Sequence, residues 1–146
     1  MSDPAVVVPA LTDADFQRLL KFRMTLRRFE RWSDEQVAAQ GLTPAWHQLM
    51  LAVRGHQDPD GPTIGDIADA LLVRPHSAVE LCNRVQRAGF ITRNADPRDG
   101  RIVRIQLTDE GTRAVESLSR LHLEQLRLFA RTLDQVMAGS ASSPPE

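Results

Sequence analysis

Apolar residues recur at three- and four-residue spacing in most of this chain, and the interval changes to two only in a short region before the last helical stripe. Phe16, Leu19, Leu20, Met24, Leu26 and Phe29 mark one stripe, which predicts a first helix from Thr12 or Asp13 towards Gln40. Ser33-Asp34-Glu35-Gln36 is a second capping signal inside it, so a bend or restart is expected there. Gly41 ends the helix. Thr43 then caps a second one, with Pro44 at its first position and Trp46, Leu49, Met50 and Val53 on its buried side. After a turn-rich loop from Gly55 to Pro62, Thr63 and Asp66 form a capping pair for a short helix whose apolar face is Ile64, Ile67, Ala68, Leu71 and Leu72. Pro75 opens the next helix, Ala78, Leu81, Cys82 and Val85 point inward, and Gly89 stops it.

A hairpin follows. Phe90-Ile91-Thr92 predicts one strand and Ile102 to Leu107 a second, with the turn formers Asn94 to Gly100 between them. Thr108 caps a last helix of about 29 residues, about 44 Å long, carrying Val115, Leu118, Leu121, Leu126, Phe129, Leu133 and Val136. The first and last helices have little of their own domain to pack on, so a second copy is expected to cover their stripes. The expected fold is mainly α with a small β-wing. A winged helix-turn-helix module (43–108) is flanked by N- and C-terminal dimerisation helices (12–40 and 109–138), within one domain spanning 1–146. The first dozen residues and the tail 139–146 are expected to be disordered, and no internal repeat is found.

Charge sharpens this picture. The 146 residues carry a formal net charge of −1. From Arg74 to Arg104, however, seven arginines (74, 84, 87, 93, 98, 101, 104) stand against three acids (Glu80, Asp96, Asp99), so this segment is at about +4. Such segregation is the expected footprint of phosphate binding. Arginine makes up nearly all the cations throughout the chain, so the bias itself is compositional. The fourth helix turns His76, Ser77, Val79, Glu80, Asn83 and Arg84 outward, short, polar or cationic groups of the kind a recognition helix pushes into a major groove.

These residues carry a family resemblance. The run Asp99-Gly100-Arg101-Ile102-Val103-Arg104-Ile105-Gln106-Leu107-Thr108 is similar to the D-x-R-x-x-x-(V/I)-x-L-T signature of the MarR (multiple antibiotic resistance regulator) family, in which it forms the wing. Ser77 to Arg84 and the exit Gly89-Phe90 resemble the family's recognition helix, and Gly41-Leu42-Thr43-Pro44 resembles its link into the second helix. Two positions depart from the pattern: Gly100 stands where many relatives carry arginine, and Asn83 where many carry an aspartate able to pair with a wing arginine.

The resemblance implies a homodimeric regulator of transcription, a repressor by default, and the lack of a membrane-spanning apolar run or a secretion-signal pattern predicts a cytosolic protein. Its recognition helices would lie about 34 Å apart on a pseudo-palindromic double-stranded DNA operator. Arg74, Arg84 and Arg87 would touch phosphates, and His76, Ser77, Val79, Glu80 and Asn83 would read base edges. Arg98 and Arg101, beside Asp99, would reach along the minor groove. It also implies a small aromatic or phenolic effector that releases DNA, with Phe22, Arg23, Trp46, His47 and Met50 as candidate ligand-binding residues.

Other chemistries find less support. No phosphate-cradling glycine loop or G-x-S-x-G stands in the chain, so no enzyme is expected, nor a cofactor. The four histidines are scattered without a cysteine cluster, and Asp58-Pro59-Asp60-Gly61 reads as a turn rather than a calcium loop, so no metal site is expected. A single cysteine excludes an intrachain disulfide, and Cys82 reads as a small core residue rather than a redox sensor. His122, on the last helical stripe, is a candidate hydrogen bonder at a dimer interface. The alternative function is an architectural or protein-interaction winged helix without an effector.

Overall fold

The structure, a computed structural model, describes residues 9–139, so the expected disorder of residues 1–8 and 140–146 lies outside the described residues. Seven elements follow in order: α1 (Asp13–Ala39), α2 (Pro44–Arg54), α3 (Ile64–Leu71), α4 (Pro75–Arg87), β1 (Ile91–Ala95), β2 (Val103–Leu107) and α5 (Asp109–Ala138). No helix among them is long and apolar enough to cross a membrane. The chain forms two compact units, one of 32–124 and one in which the start of α1 meets the end of α5.

In the larger unit the caps do what their sequence specifies. Thr43 accepts from the Trp46 N–H, and Thr63 and Asp66 form a reciprocal capping box at 3.2 and 2.9 Å. Three helices end in the same way. At α1, Leu42 N–H reaches Val37 C=O while Gly41 N–H reaches Ala38 C=O; α4 repeats this with Phe90 to Val85 and Gly89 to Gln86. Both glycines take positive φ, 74° and 88°. In α3 the equivalent position is Leu72, at φ 55°, a leucine in the left-handed region that no local sequence signal announces. Leu49, Met50, Ile67, Ala78, Cys82, Val85, Ile91, Ile105, Val115 and Leu118 fill the core between these elements.

Two expectations need correcting. The helix does not restart at Ser33: α1 is continuous from Asp13 to Ala39, and the Ser33 hydroxyl bonds His122 Nε2 at 2.6 Å instead of capping a new helix. The hydrogen bond of His122 is thus made within the chain. The first strand also runs past Thr92, through Arg93, Asn94 and Ala95, which pair with Ile105, Arg104 and Val103. Asn94 joins the strand because its amide bonds Gln106 across the ladder at 3.2 Å, which outweighs its turn preference. Strand β2 correspondingly begins at Val103, with Ile102 closing the turn onto Asp99 and Asp96.

In the smaller unit Thr12 and Asp15 cap α1 reciprocally, and Arg18 pairs with Asp15 at 2.9 Å. Phe29 packs on Phe129 with ring centroids 5.3 Å apart. Nearer the chain ends, Leu11, Leu19, Phe22, Leu133, Val136 and Met137 line a groove of about 400 Å³ with Asp15 and Arg18 at its edge.

Candidate nucleic-acid interface

The spacing of α4 divides its residues between two faces. Ala78, Leu81, Cys82 and Val85 are buried, which leaves His76, Ser77, Val79, Glu80, Arg84 and Arg87 exposed and Asn83 half-buried. Arg74 sits just before it in extended backbone, also exposed. The negative charge on this face has a local partner: Glu80 stands 3.5 Å from His76 Nε2, one turn back. Arg87 folds along its own helix and donates from Nε to the Asn83 carbonyl at 3.2 Å. Asn83, Gln86 and Arg87 border a shallow concavity of about 560 Å³ on the same face. Arg93, from β1, reaches back to the Val79 carbonyl at 3.5 Å and ties the hairpin to α4.

Burial pushes the Cys82 thiol up, with the Arg93 guanidinium only partly offsetting it. A buried, high-pKa thiol is a poor nucleophile, in keeping with a core role.

The four hairpin arginines 93, 98, 101 and 104 behave differently from one another. Asp96, buried at the turn, accepts from the backbone N–H groups of Arg98 (2.7 Å) and Asp99 (3.0 Å) and from Arg104 Nε (2.8 Å). The Arg98 backbone N–H, aided by Arg104, holds the Asp96 carboxyl down to about 2. Arg104 is only 13% exposed and its Nη1 also donates to the Gly61 carbonyl. Arg98 Nη2 lies 3.2 Å from Asp58, 3.6 Å from Asp60 and 3.6 Å from Asp96. Arg101, by contrast, is 90% exposed at the tip, held by a two-point contact to Asp99. Sequence reasoning missed the participation of Asp58 and Asp60, which stand about 40 residues before Arg98 and carry only a turn signal of their own.

The effector candidates divide between the two units. In the larger one Met50 is wholly buried in the core, Trp46 leans on Phe90 with centroids 6.0 Å apart, and His47 is buried with Nε2 unpartnered. In the smaller one the Arg23 guanidinium lies 6.0 Å from the Phe22 ring centroid, and Phe22 lines the apolar groove.

Known proteins share this arrangement. The MarR family model matches residues 40–102, from the end of α1 through the wing turn. The LexA repressor of Magnetococcus marinus is 33% identical over 84 residues, 56% of this chain and 36% of that protein. The transcriptional repressor MdtR of Bacillus subtilis is 27% identical over 77 residues, 53% of this chain and 48% of that one. The chain thus spans between a third and a half of the length of these curated relatives. Among solved structures, a point mutant of Staphylococcus aureus MepR matches with a TM-score of 0.69 at 25% identity, covering 88% of this chain and 93% of that one. A MepR–DNA complex, 24% identical over 92% of this chain and 88% of that one, shares the fold with a TM-score of 0.60. Over its winged helix-turn-helix segment, residues 40–102, the chain is similar to the MarR family.

Proposed function

We propose that this chain is a sequence-specific double-stranded DNA-binding regulator of transcription that acts as a homodimer. One observation carries the reading: α4 buries one face completely and offers Ser77, Val79, Asn83 and Arg84 on the other, beside a hairpin whose exposed tip is Arg101. In this reading Arg74 and Arg84 meet phosphates, Ser77, Val79 and Asn83 read base edges, and Arg101 follows the minor groove. Glu80, partnered by His76, accepts a base amino group only where that histidine yields it. That MepR has been seen with DNA on the same fold supports the assignment.

The dimer is supported by apolar exposure. Phe16, Leu19 and Leu20 on α1 and Leu123, Leu126, Leu128 and Met137 on α5 are each between 48% and 65% exposed, more apolar surface than a lone soluble domain carries comfortably. A second copy related by a twofold axis would cover it. The repressor names of two relatives favour repression. Release by a small aromatic or phenolic ligand is part of the proposal.

Selection of bound sequences from a random duplex library at about physiological salt tests the reading. An inverted repeat with half-sites about one helical turn apart is the expected product. Binding without an enriched motif would point to an architectural module, and no binding would refute the assignment.

A further inference from the structure

The loop between α2 and α3 runs along the outer edge of the wing and is fastened to it at several points. Ile105 N–H donates to the Pro62 carbonyl at 2.9 Å, Arg104 to the Gly61 carbonyl at 3.1 Å, and Gln106 to the Asp60 carbonyl at 3.3 Å. Gly61, at φ 91°, permits the approach, since a Cβ there would lie 2.0 Å from the Ile105 oxygen. Along this seam three carboxylates, Asp58, Asp60 and Asp96, face two guanidiniums, Arg98 and Arg104.

We propose that Asp58 and Asp60 are positioning residues for the wing, and that Arg98 is the strut they hold rather than a phosphate contact. This inference rests on the DNA-binding reading. The charge balance decides between strut and contact. With both arginines in place the cluster carries one net negative charge. Drawing Arg98 away to a phosphate would leave Asp58 and Asp96 sharing Arg104 and Asp60 without a cation, beside a polyanion, and that repulsion opposes the transfer. Arg98 therefore stays, β2 keeps its angle to α4, and Arg101 makes the wing's contact with DNA. The positive charge of the 74–104 segment falls from about +4 to about +2 once Asp58 and Asp60 are counted with it, so fewer arginines reach DNA than the sequence suggests.

The test compares Arg98→Ala, Asp60→Asn and Arg101→Ala in full-length protein, titrating a selected duplex site against monovalent salt. Asp60→Asn is the mild variant, because its carboxylate pairs with Arg98 alone among the ion pairs of the seam. Arg101→Ala is expected to reduce the salt slope by about one for each phosphate it no longer neutralises. Arg98→Ala and Asp60→Asn should leave the slope unchanged, weaken binding by about fivefold each, and combine to no more than either alone, the signature of a shared interaction. Arg98→Lys should restore part of the affinity. A slope reduced by Arg98→Ala, tighter binding by Asp60→Asn, or no effect of either would overturn the strut. A wild-type chain that binds no duplex would instead overturn the DNA-binding reading, and the inference with it.

Discussion

The imidazole rings of His47 and His122 lie 4.9 Å apart, and their hydrogen bonding is opposite in character. His122 is bonded at both nitrogens, to the Leu118 carbonyl through Nδ1 (2.7 Å) and to Ser33 through Nε2. A carbonyl can only accept, so Nδ1 carries a proton, and in the neutral ring Nε2 receives the serine hydroxyl. His47 is buried with Nε2 unpartnered.

Burial lowers the pKa of His47 from its ordinary 6.5, and the neighbouring His122 lowers it further. The folded state therefore holds this ring neutral where the unfolded chain would charge it. Its stability contribution is present above 6.5 and is lost as pH falls through the folded value. His47→Leu is expected to flatten the loss of thermal stability between neutral and mildly acid pH. Near pH 7 it should be neutral or stabilising, since the orphaned nitrogen costs about 1–3 kcal/mol. A variant that melts earlier and keeps the full acid slope would show that another group dominates.

Gly111 stands in the first turn of α5 for steric reasons. A Cβ there would meet the Phe90 carbonyl oxygen at 2.1 Å. Alanine is the better helix former by about 1 kcal/mol, yet Gly111→Ala should destabilise by about 3 kcal/mol, because backbone must move to admit it. Denaturant unfolding reads this directly, with Gly100→Ala, which meets nothing within 4 Å, as the silent control.

Leu72 combines positive φ with 92% exposure, so it has strain to release and little packing to lose. Leu72→Gly is expected to raise stability by about 0.5–1 kcal/mol through relief of the left-handed conformation. If unfolding shows a loss instead, the exposed leucine is making contacts that outweigh its backbone strain.

Gly100 has open space around it. Gly100→Arg should therefore fold as well as the parent. It should tighten DNA binding and steepen its salt dependence by about one charge per wing. An unchanged slope in the same titration would mean that the tip lies clear of the duplex.

The elements were largely legible because their signals are local: Thr43, the Thr63–Asp66 pair, Pro75 and Gly89 each act within one helical turn. The outward face of α4 followed from the same periodicity. What escaped the sequence depends on distant partners. Ser33 carries a capping signature that His122, 89 residues away, diverts. Asn94 prefers turns but is held in a strand by Gln106. Arg98 and Arg104 add to a basic segment when charges are counted along the chain, and only the fold brings Asp58 and Asp60 against them. Local chemistry names the parts of the interface, while long-range pairing decides which charges remain available.

The first turn of α5 and the exit of α4 share one side chain. Thr108 donates its hydroxyl to the Gly89 carbonyl at 2.7 Å and accepts from Gly111 N–H at 3.1 Å, while its own N–H reaches the Phe90 carbonyl. The glycine that ends α4 and the threonine that begins α5 are thus joined directly, with no hinge between them. Separating the two would break both bonds to the α4 exit together, so this corner should open cooperatively rather than fray. Amide exchange from Gly89 to Gly111 would then report a single event, and a twist imposed on the start of α5 would be handed to α4 without slack.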